Sequence, residues 1–208
     1  MKLFVSARAP SPRRVLMFIA EKQMSGIELA DVSIAAGEHR SEAFVAKSPL
    51  AKLPVLELPD GRMLGETRAI CTYLEGVAPQ PNLMGEGAEE RAFIEMADRR
   101  MELYLLSGIA NWVRHTHPGL APLEQPQFAD FGASQGEKAK DVMRWLDVEL
   151  ATRPFVAGDR FTIADITGFV AMEFARGLMK FRPGEHGMPR LQAWRDRIGE
   201  RGSARAGG

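Results

Sequence analysis

The first third of the chain alternates between short apolar runs and stretches with helical periodicity. Residues 2–6 form a short apolar run, which predicts a buried strand. Val15, Phe18 and Ile19 follow at i, i+3 and i+4, which predicts a helix that ends near Met24. The remaining elements predicted in this part are a loop at 7–12, strands at 27–34 and 53–58, a hairpin partner at 62–64, and helices at 41–46 and 67–76.

This order of elements predicts one mixed sheet. Two strands are joined through a helix, and the turn signal Pro59-Asp60-Gly61 then indicates a hairpin. The order β-α-β-α-β-β-α within residues 1–77 predicts a mixed four-stranded sheet with helices packed on it.

The rest of the chain carries helical patterns and no convincing strand. Residues 78–87 are rich in Pro and Gly, which predicts a linker. A long helix is predicted at 88–114, and residues 122–132 are predicted to be a loop. Ser134 to Glu137 and Thr162 to Asp165 match capping boxes that open two further helices. The predicted fold is therefore α+β, with a sheet domain at 1–77 and an all-helical bundle at 88–208, whose residues from Gly202 onward are expected to fray.

The charges of the chain balance. Lys and Arg together number 27, as do Asp and Glu, so the formal net charge is zero. A nucleic-acid or membrane-surface protein would need a basic excess on one face, so the balance argues against both partners. No window approaches the roughly 20 apolar residues of a membrane span. A small molecule or a second copy of the chain is the expected partner.

Cys71 is the single cysteine. A single cysteine cannot form an intrachain disulfide or a multi-cysteine metal site, so no metal is expected. Its presence alone also fits a reducing compartment. The first apolar run is too short for a signal peptide. The sequence therefore predicts a cytoplasmic protein, in which Cys71 is an inert core thiol.

Several short segments, taken in order and at these spacings, resemble the cytosolic glutathione transferase superfamily. The resemblance implies a thioredoxin-like glutathione-binding domain, an all-helical second domain and a homodimer. The chain is most similar to bacterial and fungal enzymes related to the second glutathione transferase of yeast, which share the Gly-Glu-His-Arg loop and the His-x-x-Pro-Gly region. The segments that carry the resemblance are 10–15, 36–41, 52–56, 65–70, 115–119 and 155–165.

The resemblance also implies residues that bind glutathione. A cis bond before Pro54 is expected to expose the backbone N–H and C=O of Leu53 to the cysteinyl part, although a trans proline at a strand edge is the ordinary alternative. Thr67, as a helix N-cap, is expected to bind the γ-glutamyl carboxylate together with the first helix amides. Glu66 is expected to bind the γ-glutamyl ammonium, and the alternative is a capped helix preceded by a solvated Glu.

A basic group is the candidate for the other end of the tripeptide. His39, Arg40 and Lys52 are expected to bind the glycyl carboxylate, a cation matched to an anion. The alternative is a solvated basic loop, since exposed ion pairs often contribute less than about 1 kcal/mol.

The residue that activates the thiol is less evident. Many relatives place Tyr, Ser or Cys after the first strand, whereas matching Arg14-Val15 to the family motif places Ala9 or Pro10, not Ser11, at that position. Ser11 is one candidate, with a helix N-cap as its alternative role. His115 is the other, because the resemblance implies a water held partly by a histidine. His115 is expected to order that water or to face the thiolate as a cation, and its alternative role is that of a histidine favoured by the dipole at a helix C-terminus. The relatives' second water-holding position falls near Ala121, which has no hydrogen-bonding side chain.

Side chains of the second domain are expected to line the acceptor site. Trp112 and His117 are its candidates, within residues 110–117, together with Phe128 or Phe131. The predicted function is addition of the glutathione thiolate to an electrophilic carbon of an apolar acceptor. The alternatives are a non-catalytic glutathione-binding scaffold of the same fold and a glutathione-dependent isomerase or dehalogenase.

Overall fold

The computed structural model describes residues 1–6 and 9–207. Ala7 and Arg8, which belong to the loop predicted at 7–12, and Gly208 lie outside the described residues. The chain packs into two compact units, Met1–Leu83 with the segment from Arg201, and Met84–Glu200. The domain bounds of the sequence analysis stay a prediction.

The first unit is built on a four-stranded mixed sheet with the order β2-β1-β3-β4. β1 pairs with β2 in parallel, whereas the β1–β3 and β3–β4 pairs are antiparallel. The predicted sheet is confirmed. The strands are β1 (Lys2–Val5), β2 (Glu28–Asp31), β3 (Val55–Glu57) and β4 (Met63–Gly65).

Three helices accompany the sheet: α1 (Pro10–Glu21), α2 (Glu42–Val45) and α3 (Thr67–Val77), with a 3-10 turn at Glu38–Arg40. α1 begins at Pro10, inside the segment predicted to be a loop. The first turn of a helix tolerates proline, since its ring presets φ and the missing N–H has no intrahelical acceptor there. Phe4, Val32, Phe44 and Val55 form a buried apolar cluster of this unit.

The C-terminal segment is ordered against α1, so the prediction that it frays is wrong. Residues Gly202–Arg205 form a 3-10 turn, in which Ser203 and Ala204 are buried. The guanidinium of Arg13 donates a hydrogen bond to the carbonyl oxygen of Ala204 at 2.8 Å. Polar contacts with α1 therefore stabilise a segment whose composition alone favours disorder.

The second unit is helical. Its long first helix continues from α4 to α5 through a π-helical segment at Met101–Leu106, where the sequence predicted one uniform helix. Together with the sheet unit, this confirms the predicted fold class, a thioredoxin-like domain and a helical domain. No helix in the described ranges is long and apolar enough to cross a bilayer. The helices are α4 (Gly87–Arg100), α5 (Ser107–Thr116), α6 (Ala129–Glu149), α7 (Ile163–Met179) and α8 (Pro189–Gly199).

One of the two predicted capping boxes is present. Thr162 caps α7 with its hydroxyl, and Asp165 returns a carboxylate oxygen to the N–H of Thr162. The box predicted at Ser134 is wrong, because Ser134 lies inside α6, whose N-cap residue is Phe128. The side chain of Phe128 forms no capping hydrogen bond with this helix.

Candidate active site

The register of the sheet gathers three chain segments at one end. Phe4 on β1 pairs with Val55 on β3, and Val55 pairs with Gly65 on β4. One step beyond these pairs lie Pro54, before β3, and Glu66, after β4. Because neighbouring strands are about 5 Å apart, the register brings these two predicted site residues side by side at the end of the sheet.

Leu53 and Pro54 enter β3 at this end. The peptide bond between them is cis, as the resemblance implied. Within residues 1–6 and 9–207, neither the N–H nor the C=O of Leu53 forms a hydrogen bond. Both groups are thus available to a ligand.

Glu66 has the backbone conformation of an unusual N-cap. Its φ is +64°, in a region that non-glycine residues rarely occupy, and such residues are frequent at functional sites. The first intrahelical bond of α3 runs from the N–H of Ile70 to the carbonyl oxygen of Glu66 at 3.0 Å. The amides before Ile70 have no intrahelical acceptor, and the Glu66 side chain is exposed beside them.

Thr67 does not act as the N-cap that the sequence predicted. It is the first residue of α3, it is buried, and its hydroxyl donates a hydrogen bond to the carbonyl oxygen of Ser11 at 3.3 Å. The predicted cap fails because Glu66, one residue earlier, already adopts the non-helical backbone of the cap position. Thr67 instead joins the first turn of α3 to the first turn of α1.

Ser11 is the second residue of α1 and is half-buried. Its alternative role as a helix N-cap is wrong, since the N-cap is Ala9. The structure places Ser11 beside the buried hydroxyl of Thr67, and so among the residues at this end of the sheet.

The basic candidates form an electrostatic group. Burial lowers the pKa of His39, and the positive charges of Arg40 and Lys52 lower it further. The Nδ1 atom of His39 is buried and has no hydrogen-bond partner among the described residues. The positive charges of Arg40 and Lys52, beside the unpaired nitrogen of the neutral His39 imidazole, suit an anion.

Two polar residues that the sequence analysis gave no role support this basic group. The carboxylate of Glu38 accepts a hydrogen bond from the N–H of Ser33 at 2.7 Å, which closes the loop that carries His39. The hydroxyl of buried Ser48 accepts from the N–H of Lys52 at 3.0 Å and donates to its carbonyl oxygen at 2.9 Å. Glu38 belongs to the Gly-Glu-His-Arg motif, but its contact with Ser33 has no local signature.

His115 lies in the last turn of α5, in the second unit. Its Nδ1 atom accepts a hydrogen bond from the N–H of Phe128 at 3.1 Å, and the rings of Phe128 and Phe131 contact the imidazole at centroid distances of 6.0 and 5.1 Å. The Nε2 atom is 3.9 Å from a carboxylate oxygen of Glu124, beyond hydrogen-bond distance. His115 thus orders the start of α6 through its Nδ1 atom, and its Nε2 atom is available to a further partner.

The acceptor candidates Trp112 and His117 have structural contacts of their own. The edge of the Trp112 ring meets Phe181 at a centroid distance of 6.1 Å, and the Nζ atom of Lys140 lies 5.2 Å from the ring centroid. The Nδ1 atom of His117 accepts a hydrogen bond from the N–H of Gly119 at 3.1 Å, so this side chain caps a short turn.

Two glycines of α6 make room for the candidate side chains of α5, and the sequence analysis missed both. A Cβ atom at Gly136 would lie 2.9 Å from the Trp112 ring, and one at Gly132 would lie 2.8 Å from the Cβ atom of His115. Their four-residue spacing along a helix is the available sequence signal. Among the described residues, no group of three or more His, Cys, Asp or Glu side chains is placed to hold a metal ion.

Known families and relatives match this chain. The family models described as glutathione S-transferase, N-terminal domain, and glutathione S-transferase, C-terminal domain, match residues 9–77 and 107–197. Glutathione S-transferase 2 of Saccharomyces cerevisiae is 35% identical over 207 residues, which are 99% of this chain and 88% of that protein.

Solved structures agree. The crystal structure of Gtt2 from Saccharomyces cerevisiae has a TM-score of 0.91 and 35% identity, and the match covers 98% of both chains. That of a glutathione S-transferase domain-containing protein from Marinobacter aquaeolei VT8 has a TM-score of 0.92 and 40% identity, and covers 98% of this chain and 99% of the other. The similarity to the yeast protein confirms the predicted branch, and the chain belongs to the glutathione S-transferase family.

Proposed function

We propose that this glutathione transferase adds the thiolate of glutathione to an electrophilic carbon of an apolar acceptor. The observation that carries the proposal is the β3–β4 register, which sets Leu53–Pro54 beside Glu66–Thr67 at the end of the sheet. Backbone groups, helix amides and a carboxylate meet there. This combination suits a γ-glutamyl tripeptide, which carries anionic and cationic groups and a central amide.

Each part of glutathione has a matching group in this proposal. The N–H and C=O of Leu53 pair with the cysteinyl backbone, since neither is used within the described chain. The amides at the start of α3 bind the γ-glutamyl carboxylate, and the helix dipole favours that negative charge. The exposed carboxylate of Glu66 binds the γ-glutamyl ammonium.

The glycyl carboxylate binds the basic group of His39, Arg40 and Lys52. Burial lowers the pKa of His39, the positive charges of Arg40 and Lys52 lower it further, and an anion would offset those charges. A carboxylate oxygen would also give the unpaired Nδ1 atom of His39 a partner when that nitrogen carries a proton.

Activation of the thiol requires a group that favours the thiolate. A free cysteine thiol has a pKa near 8.5, and lowering it by two units takes about 2.7 kcal/mol of preferential stabilisation. Ser11 would donate a hydrogen bond to the thiolate, and the Nε2 atom of His115 would order a water near it. The thiolate then forms a C–S bond with the acceptor carbon, and with a chloronitrobenzene the C–Cl bond breaks and chloride leaves.

The acceptor would lie against aromatic side chains of the second unit. Phe128 is 58% exposed and Phe131 is 43% exposed, although both contact the ring of His115. Trp112 lies on α5 with His115, and His117 is the residue directly after α5. An aromatic wall of this kind favours a flat apolar electrophile.

We further propose that the protein is a cytoplasmic homodimer with a role in detoxification. Apolar side chains that a monomer leaves in water support the dimer: Leu50 in the first unit is 72% exposed, and Phe93, Leu103 and Tyr104 in the second are more than half exposed. The lone thiol of Cys71 supports a reducing compartment. Sedimentation equilibrium tests the dimer, and a Leu50→Glu variant should sediment as a monomer.

Titration calorimetry and turnover test the main proposal. We expect heat of binding with millimolar glutathione and conjugation of a chloronitrobenzene acceptor. Absence of binding by the folded protein would overturn the proposal. Binding without turnover on any conjugation, isomerisation or dehalogenation substrate would instead identify a scaffold.

A further inference from the structure

Two adjacent residues at the end of α1 contact both segments through which the chain leaves and re-enters the first unit. The chain leaves this unit after Leu83 and returns to it at Arg201. Glu21 is the last residue of α1 and Lys22 is its C-cap. Each of them binds one of the two segments.

Lys22 holds the outgoing segment. Its side chain has no exposed surface, and its Nζ atom forms an ion pair with Glu75 at 2.7 Å. The same ammonium donates hydrogen bonds to the carbonyl oxygens of Ala78 at 2.6 Å and Pro81 at 2.9 Å. The other carboxylate oxygen of Glu75 accepts from the N–H of Leu83 at 3.1 Å. One buried pair of charges therefore fixes the backbone at three points between residues 78 and 83.

Glu21 holds the returning segment. Its two carboxylate oxygens accept hydrogen bonds from the Nε and Nη2 atoms of Arg201, both at 2.7 Å, and the hydroxyl of Ser203 donates to the same carboxylate. Burial raises the pKa of Glu21, but the hydrogen bonds from Arg201 and Ser203 outweigh it, and the pKa lies below its ordinary value. Bidentate pairing of this kind fixes direction as well as distance.

We propose that Glu21 and Lys22 form a double anchor and act as positioning residues for the transfer reaction. The anchor fixes the points at which the chain leaves and re-enters the glutathione-binding unit. The inference rests on the proposed function, in which the first unit binds glutathione and Ser11, at the start of the helix that Glu21 ends, donates to its thiolate. Loosening the anchor should then lower turnover of the acceptor and leave glutathione binding intact.

A buried charged network suits positioning better than an apolar contact would. Apolar side chains tolerate sliding, whereas the fixed directions of hydrogen bonds to Ala78, Pro81 and Leu83 define one backbone path. Lys22 and Glu75 also pair the backbone groups of Ala78, Pro81 and Leu83, which apolar replacements would leave without these partners.

The test uses the full-length protein and three variants. Lys22→Met combined with Glu75→Leu removes the outgoing anchor, Glu21→Gln weakens the returning one, and Glu21→Arg combined with Arg201→Glu reverses the latter pair. Arg205→Gln is the matched control, because Arg205 is exposed in the same returning segment. The readouts are amide exchange in residues 78–83 and 201–207, calorimetric affinity for glutathione, and steady-state kinetics.

For the two anchor-loosening variants we expect amide exchange of the corresponding segment to rise about tenfold or more, kcat/KM for the acceptor to fall about tenfold, and the Kd for glutathione to change less than about twofold. The charge reversal should recover most of the activity that Glu21→Gln loses, and Arg205→Gln should resemble the wild type. Unchanged exchange, or parallel losses of glutathione binding and turnover, would overturn the anchor.

Failure of the proposed function has a different signature. A wild-type protein that neither binds glutathione nor turns over an acceptor contradicts that function, while amide exchange still tests whether Glu21 and Lys22 hold the segments. If the double variant at Lys22 and Glu75 does not fold, the conservative Glu21→Gln variant decides the proposal through the same three measurements.

Discussion

The hydroxyl of Thr67 donates a hydrogen bond to the carbonyl oxygen of Ser11 at 3.3 Å, which joins the helix that follows β4 to the helix that follows β1. Thr67 is buried and Ser11 is half-buried, so this contact lies at the edge of the buried interior. Since both helix starts belong to the candidate glutathione site, the contact relates the predicted anion-binding turn of α3 to the turn that carries Ser11.

We predict that Thr67→Val weakens glutathione binding by about tenfold, equivalent to about 1.4 kcal/mol. Valine keeps the shape of threonine but removes the hydroxyl that donates to the carbonyl of half-buried Ser11, and losing this hydrogen bond costs about 0.5–1.5 kcal/mol and lets the two turns separate. Calorimetric titration with glutathione measures the change. Thr67→Ser is the matched control and should bind like the wild type; equal affinity of the valine variant would refute this role.

Substitutions of Ser11 and His115 test which of these residues activates the thiol. We predict that Ser11→Ala, His115→Asn or both lower kcat by about tenfold or more and raise the pKa of bound glutathione by about one unit, or about 1.4 kcal/mol. Asparagine at 115 retains an acceptor near the Nδ1 position for the N–H of Phe128 and removes only Nε2. Ultraviolet titration of the bound thiolate measures the pKa.

His115→Ala supplies the comparison for that experiment. Alanine removes both nitrogens, so it should also destabilise the start of α6 and lower the thermal midpoint, whereas the asparagine variant should not. If neither Ser11→Ala nor His115→Asn slows turnover tenfold, both assignments fail.

The pH dependence of ligand binding tests His39. Its pKa is lowered by burial and by the charges of Arg40 and Lys52, so the imidazole is neutral at neutral pH and gains a proton as the pH falls. We predict that affinity for S-methylglutathione, which lacks a titrating thiol, rises about two- to fivefold on acidification to about pH 5.5. The His39→Gln variant should lose this increase; a pH slope that survives the substitution assigns the effect elsewhere.

The packing of Gly136 against Trp112 predicts a selective effect on the acceptor. A Cβ atom at position 136 would lie 2.9 Å from the ring, so Gly136→Ala forces the indole to move. We expect KM for the acceptor to rise about threefold or more while KM for glutathione stays within about twofold. Gly177→Ala is the control, because a Cβ atom there meets no atom within 4 Å and alanine favours a helix. An unchanged acceptor KM would remove Trp112 from the acceptor site.

Local patterns predicted much of this structure. The order of strands and helices around the sheet, the cis bond at Pro54 and the capping box of Thr162 and Asp165 all depend on residues near one another in sequence, or on segments that carry the family resemblance. Their physical causes lie within a few residues, so the sequence displays them directly.

The errors occurred where a distant partner decides the local structure. Ser134 matches a capping box, but α6 begins earlier because the N–H of Phe128 finds the Nδ1 atom of His115, 13 residues away. The Gly- and Ala-rich C-terminal segment is ordered because Arg201 finds Glu21, 180 residues away. The positive φ of Glu66 also has no sequence signal, since the residue is not glycine.

The last prediction concerns the pH dependence of stability. Asp165 is fully buried, and burial raises its pKa to about 6, although the N–H groups of Val156, Trp194 and Thr162 donate hydrogen bonds to it and act in the opposite direction. The ordinary pKa of 3.8 applies to the unfolded chain. Between these values the folded state binds more protons than the unfolded state, so the free energy of unfolding falls as the pH rises.

We therefore expect the wild type to lose stability relative to Asp165→Asn as the pH rises from about 4 to about 6, by an amount on the order of a few kcal/mol, and the difference to stay constant above about pH 7. Asparagine does not titrate, so the contributions of the other titrating groups to the free energy of unfolding cancel when the two proteins are compared. At every pH the variant should be less stable than the wild type, because its amide cannot accept all the hydrogen bonds that the carboxylate accepts. Denaturant unfolding of both proteins across this pH range measures the difference, and a flat difference would show that Asp165 does not titrate between the two values.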